Sequence, residues 1–142
     1  MEQKNIVATI YLKNGKAVKS PKDFSKSCDA IELASRYNDS GVDKIFLVDL
    51  SDDETEHLAN IMTIRNINRQ IDVKTAAAGN IKRLDDVKLY FFAGCIEVVL
   101  NGAKPDTFEL VKEAANRFGK ERILVSVDNV NFAFKTRDYI KD

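Results

Sequence analysis

Apolar residues along the chain gather into five short runs rich in β-branched side chains: Ile6 to Leu12, Ile45 to Leu50, Val73 to Ala77, Ile96 to Asn101 and Ile123 to Asp128. In IFLVDL and IEVVLN the apolar positions follow one another instead of alternating, the pattern of strands covered on both faces, which are usually parallel. Segments of helical periodicity separate them. Asp29, three residues before Glu32, opens a helix whose face is Ile31, Leu33, Ala34 and Tyr37, and Gly41 stops it. The Asp53 and Glu56 pair precedes a second helix with Leu58, Ile61, Met62 and Arg65 on one side. Leu84, Val87, Tyr90 and Phe91 mark a third, ended by Gly94. Asp106, after Pro105, caps a fourth that carries Glu109, Phe108, Val111, Ala115 and Phe118 and closes at Gly119.

The resulting order is β-α-β-α-β-α-β-α-β with right-handed crossovers. With 142 residues, two α/β architectures fit. One is a five-stranded flavodoxin-like doubly wound sheet. The other is a (βα)4-5 half of a TIM barrel, since a complete barrel needs about 250 residues. Residues 1–142 read as a single domain in which 129–142 form an ambiguous extension, either a fifth helix's first turn or a tail.

Charge narrows the function classes. The chain has 22 Lys and Arg against 22 Asp and Glu, and this balance argues against a nucleic-acid or anionic-membrane partner, which requires a basic excess. No run approaches a membrane span and the N-terminus carries no apolar signal core, so a cytoplasmic protein is expected. Cys28 and Cys95 lie far apart without metal-ligand spacing and read as small core residues.

In both architectures ligands sit beyond the carboxyl ends of the strands. Those positions hold Tyr11 to Gly15, Asp49 with Ser51 to Asp53, Ala78-Gly79-Asn80, Asn101-Gly102 and Asp128-Asn129. An acidic pair after the first strand and a lysine after the fifth, which a phospho-receiver domain requires, are missing. So are GxxxxGK[ST] and GxGxxG, and no cofactor is implied.

The segments IVATIYLKNGKAVKS, AIELASRYNDSGVDKIFLVDLS, AAAGNIKRLDDV, AGCIEVVLN and FGKERILVSVD, in this order, resemble the first half of the histidine-biosynthesis (βα)8 barrels. These are the cyclase subunit of imidazole glycerol phosphate synthase and the phosphoribosylformimino aminoimidazole carboxamide ribotide isomerase. The N-terminal part of a histidine-pathway fusion protein would read the same way. The resemblance implies an acid/base pair of aspartates at the ends of the first and fifth strands. It places Asp128 at the second position and Tyr11 where the first aspartate stands. A phenol donates a proton but, with an ordinary pKa of about 10, is a poor base near neutrality. The resemblance further implies a phosphate site at Ala78, Gly79 and Asn80 and at Asn101 and Gly102, built from backbone N–H groups and helix N-termini.

Each of these residues also has a plainer reading. Asp128 can cap a turn, Tyr11 can close the top of a core, and the two glycine turns can be ordinary βα connections. Asp49 is expected either to hold the neighbouring loop through backbone hydrogen bonds or to contact a ligand. His57 is placed on the solvated face of its helix, and the runs DDETEH and KRLDDVK read as solvated helix starts. Lys13, Lys16 and Lys19 alternate along the first loop, facing either a phosphate or water.

A half-barrel leaves two sheet edges and an apolar concave face to be covered, so a homodimer or higher oligomer is expected. The functional expectation is a catalytically degraded relative of the histidine-biosynthesis isomerase and cyclase, acting as an assembly module or weak sugar-phosphate binder. The alternative is an active aldose-ketose isomerase or cyclase completed by oligomerisation.

Overall fold

The structure is a computed structural model that describes residues 6–79, 81–102, 107–126 and the backbone of 133–135. Its elements are β1 (Val7–Lys13), β2 (Lys16–Ser20), β3 (Asp23–Cys28), α1 (Ala30–Asp39), β4 (Lys44–Asp49), α2 (Glu54–Gln70), β5 (Lys74–Ala78), α3 (Leu84–Phe92), β6 (Glu97–Asn101), α4 (Thr107–Phe118), a 3₁₀ turn (Lys120–Arg122), β7 (Ile123–Ser126) and β8 (Ala133–Lys135). The eight strands form one sheet in the order β3-β2-β1-β4-β5-β6-β7-β8.

The five expected strands are β1, β4, β5, β6 and β7, and each runs parallel to the next in chain order. A flavodoxin-like sheet reverses direction at its first strand; this one never does, which excludes that alternative. Consecutive order with crossovers of one hand puts every helix on the same face. Accordingly α1 packs on α2, α2 on α3 and α3 on α4. This is the arrangement of half a (βα)8 barrel.

Three antiparallel strands were not legible in the apolar pattern. The first loop is a hairpin extension, with β2 on β1 and β3 on β2. Lys13 and Lys16 therefore face each other across its turn, and Lys19 follows in β2. Part of the ambiguous extension, Ala133–Lys135, is a strand against β7. The hairpin buries too little apolar side chain to show a period: β3 reads DFSKSC and is almost wholly exposed.

The main core lies between sheet and helices. Strand residues Ile10, Leu12, Ile45, Leu47, Ala77, Val98, Leu100, Ile123 and Val125 point into it, against Ala34, Ile64, Ile67, Val87, Tyr90, Val111 and Ala114. Alternate strand residues build a second cluster on the other face, with Ala76, Val99 and Leu124 buried and Phe46 and Ala78 packed beside them. At the amino end of that face Lys44 and Glu97 form a part-buried ion pair across β5. Phe46 and Ala78 on this face are only partly buried.

Helix ends follow the sequence signals. The Asp29 side chain accepts from the N–H groups of Ile31 and Glu32, at 2.9 and 3.1 Å, and Asp53 accepts from Glu56 at 2.8 Å. Asp106 lies outside the described residues. The buried face of α2 differs from expectation: it consists of His57, Asn60, Ile61, Ile64 and Ile67, while Leu58 and Met62 are exposed. The physical reason is that the isoleucine spacing, carried back by one turn, selects positions 60 and 57. Leu58, Met62, Leu89 and Phe92 instead line an apolar groove between α2 and α3. On α4, Val111 and Ala115 are buried as expected, whereas Phe108 is exposed.

The cysteines part company. Cys95 is buried, but Cys28 is exposed on the edge strand β3, correcting its placement in the core. Native protein should therefore release one thiol to a thiol reagent at neutral pH and two in denaturant. Burial pushes the Cys95 thiol up to about 11 from 9.0, so the stability linked to its neutral form is present below pH 9 and is lost as pH rises through the folded value. The loss should reach roughly 3 kcal/mol and be absent in Cys95→Ala, as read by urea midpoints across that range.

Candidate functional site

Position along β1 decides which way its last residues face. Ile10 and Leu12 enter the helix-side core, so Tyr11 and Lys13 face the opposite side at the carboxyl end of the sheet. Tyr11 is half-buried and pairs in register with Val18 of β2 and Val48 of β4. Asp128, the other expected acid/base, lies outside the described residues.

Lys13 is not available to an anion. Its ammonium lies 2.6 Å from Asp52 and 2.8 Å from Glu56, at 3.4 Å from the Leu50 carbonyl, and over the Phe24 ring at 5.4 Å. The hydrogen bond to Asp52, then that to Glu56, raises its pKa above the ordinary lysine value. The DDETEH run is therefore not merely a solvated helix start. Asp52 and Glu56 neutralise a strand-end cation, and Asp53 caps α2. Lys16 and Lys19 remain exposed.

Asp49 does what was expected of it and more. As the last residue of β4 it alternates onto the helix side and is 2% exposed. Its Oδ1 accepts the Ser51 N–H at 3.0 Å and the Asn60 amide at 2.6 Å. Its Oδ2 accepts the Tyr90 hydroxyl at 2.8 Å and lies 2.5 Å from His57 Nδ1. A buried carboxylate is tolerated only when donors surround it in this way.

His57 is consequently buried at 2% exposure, not solvated. The ring follows the isoleucine stripe of α2 inward and finds Asp49 there. Its Nδ1–H donates to Asp49, and its edge meets the Tyr90 ring at 5.9 Å between centroids. Burial first, then the nearby Asp49 charge, drive the Tyr90 phenol far above its ordinary range, which keeps the hydroxyl a donor.

Of the expected phosphate residues, Ala78 ends β5 in extended geometry and Gly79 carries the turn with φ +89°. The positive φ falls on the glycine, so alanine at 78 imposes no strain. Asn80 lies outside the described residues. Downstream, Asp86 is buried, and its Oδ2 accepts the N–H groups of Lys82 and Arg83 at 3.0 and 3.1 Å. The KRLDDVK run thus supplies its own cap to the head of α3. At the next strand end Asn101 is exposed, opposite Ser126, and the Gly102 N–H donates to the Ser126 carbonyl at 2.8 Å. Of the expected donors, the Gly102 N–H already has a partner inside the chain, as do the Lys82 and Arg83 N–H groups beyond the Gly79 turn.

His57, Asn60, Tyr90 and Asp86 are the residues that the reading of sites from sequence missed. The first two were legible in the spacing of Ile61, Ile64 and Ile67. Tyr90 and Asp86 carried no local signal that they would meet Asp49.

Sequential parallel strands with helices on one face define part of a (βα) barrel fold. The family model "Histidine biosynthesis protein" matches residues 5–140, and the chain belongs to that family. It is 31% identical over 127 residues to the imidazole glycerol phosphate synthase subunit HisF of Helicobacter hepaticus, covering 88% of this chain and 51% of that one. It is 29% identical over 138 residues to the subunit of the same name from Sulfurisphaera tokodaii, covering 94% and 55% respectively. The chain spans about half the length of these curated relatives. Among the described residues, no helix is long and apolar enough to cross a membrane.

Gly79 offers a direct check on the geometry of the mouth. A Cβ there would lie 2.3 Å from the Asp49 carbonyl oxygen, against backbone that cannot move aside. Gly41 shares a positive φ of +86° but has nothing within 4 Å. Gly79→Ala should cost about 3 kcal/mol or more, steric clash adding to the left-handed backbone, and Gly41→Ala about 1–2 kcal/mol. Urea unfolding of both variants gives the comparison.

Proposed function

We propose that this chain is a sugar-phosphate-binding half-barrel of the histidine biosynthesis family that carries out no isomerase or cyclase turnover by itself. The observation that carries this reading is Tyr11, set at the carboxyl end of β1 on the side away from the helix core, where the family resemblance implies an acid/base aspartate. Opening an aminoaldose and rearranging it to the ketose takes one group to protonate the ring oxygen and another to move the C2 proton. A phenol serves the first task and not the second. Losing one general acid/base typically costs a factor of about 10² to 10⁴ in rate.

The engaged donors support weak binding over tight binding. An anion at the Gly79 turn has to compete with the Asp86 carboxylate for the Lys82 and Arg83 N–H groups, and the Gly102 N–H is already given to Ser126. Lys13 is neutralised by two acids. What remains is the dipole of α3 and the exposed side of the turns, suited to a phosphate monoester at millimolar concentration.

The test has two arms. Titration with ribose 5-phosphate, followed by NMR, should move the Gly79 and Gly102 amide signals, saturating at millimolar ligand; no movement of either at tens of millimolar removes the site. Assays with the aminoimidazole carboxamide ribotide intermediates should show no turnover by wild type, and Tyr11→Asp should restore little. Wild-type turnover that Asp128→Asn abolishes would reverse the reading in favour of an active isomerase or cyclase.

In the same reading a second copy covers the open sheet. β3 and β8 end the strand order and do not pair with each other, and free edges invite pairing with another chain. Light scattering at micromolar concentration should give at least a dimer; a monodisperse species near 16.0 kDa would remove the assembly role.

A further inference from the structure

The polar side chains buried behind the mouth are joined end to end, and their outer ends are all loop backbone. Asp49 stands in the middle. Through Asn60 it reaches the first loop: the Asn60 amide bonds both Asp49 and the Leu12 carbonyl, at 2.6 and 3.1 Å, while its Oδ1 accepts the Gly15 N–H at 2.7 Å. Thr63, one turn on, donates to the Gly15 carbonyl at 3.0 Å. Through Tyr90 the carboxylate reaches the third strand end, because the hydroxyl lies 2.8 Å from Asp49 and 3.1 Å from the Gly79 carbonyl. Through His57 the line approaches Asp86, whose other oxygen holds the head of α3. His57 Nε2 is buried without a hydrogen-bond partner, 3.5 Å from Asp86 Oδ1.

A core serving packing alone would fill this space with aliphatic side chains, because each buried polar group has to be satisfied or it destabilises the fold. Here the outer bonds of Asn60 and Tyr90 lead to the Gly15 turn and the Gly79 turn, on two sides of the mouth. The turns are far apart in sequence; the sheet sets the spacing of the strand ends they follow, and these side chains tie the turns themselves to each other across that spacing. Hydrogen bonds have narrow distance and angle limits, so a chain of them transmits position where apolar contacts would slide.

We propose that Asp49, Asn60 and Tyr90 are positioning residues that lock the Gly79 turn to the Gly15 turn, so that the two sides of the mouth meet a phosphate group as one preorganised unit. The proposal rests on the phosphate-binding reading of the Gly79 turn and adds which buried residues set its geometry. Preorganisation raises affinity because the turns need not be ordered when the ligand arrives.

The test uses Tyr90→Phe, which keeps the ring and removes the hydroxyl, with inorganic phosphate as the probe. Asn68→Ala is the control. It removes part-buried hydrogen bonds to Thr75, Ala93 and Cys95, at the other end of the sheet. Tyr90→Phe should weaken phosphate binding by roughly 3- to 10-fold. It should also accelerate hydrogen exchange of the Gly15 amide, which Tyr90 does not touch. Asn68→Ala should lower the urea midpoint and leave both quantities unchanged. The proposal is overturned if Tyr90→Phe disturbs the Gly79 amide alone, or if Asn68→Ala reproduces its effects. Should wild type bind no phosphate, the phosphate reading falls by itself, and the Gly15 exchange rate in Tyr90→Phe still decides whether the two turns are tied.

Discussion

A carboxylate almost without solvent is the constraint around which the upper half of this molecule is arranged. Asp49 is placed on the helix side of the sheet by strand alternation alone, and at 2% exposure it must draw donors from whatever surrounds it. Four come: the Ser51 N–H, the Asn60 amide, the His57 ring and the Tyr90 hydroxyl. Each arrives from a different position in the chain, and each fixes one more piece of backbone. Removing the carboxylate would leave these donors buried and unmatched, a larger penalty than the loss of the bonds themselves. This explains why a polar cluster sits where a barrel of this family has the layer between strands and helices.

The sheet supplies the second constraint. Because the parallel strands follow one another without reversal, every strand end opens on the same rim, and the turns after β1, β4, β5 and β6 become neighbours. The same order leaves the sheet unclosed, with the β2–β3 hairpin on one side and β8 on the other. Antiparallel pairing extends the edges cheaply, since a hairpin needs only a short turn. It does not abolish them.

The chain belongs to the histidine biosynthesis family, and at the rim of its sheet several polar groups are already engaged with one another. Tyr11 stands near the end of β1, Lys13 is bound by two acids, and Asp86 accepts the backbone N–H groups at the head of α3. These features all reduce the charge and the free donors on offer to a ligand.

Strand positions, helix limits and the parallel class follow from local properties: runs of β-branched residues, acidic caps before apolar periods, and glycines after them. These act over a few residues and can be read from a few residues. The hairpin strands escaped because β3 is exposed on both sides and so carries no apolar period, and Cys28 was misplaced with it. The choice between a doubly wound sheet and a barrel half needed strand order, a relation between segments 21 to 37 residues apart that periodicity does not encode. His57 shows the division most clearly. Its position on the inner face of α2 was legible in the spacing of Ile61, Ile64 and Ile67, but its meaning was not. Only folding brings Asp49 and Tyr90, 41 residues apart in sequence, within hydrogen-bonding distance of each other, and a buried charge acquires its partners from tertiary contact, not from its neighbours along the chain.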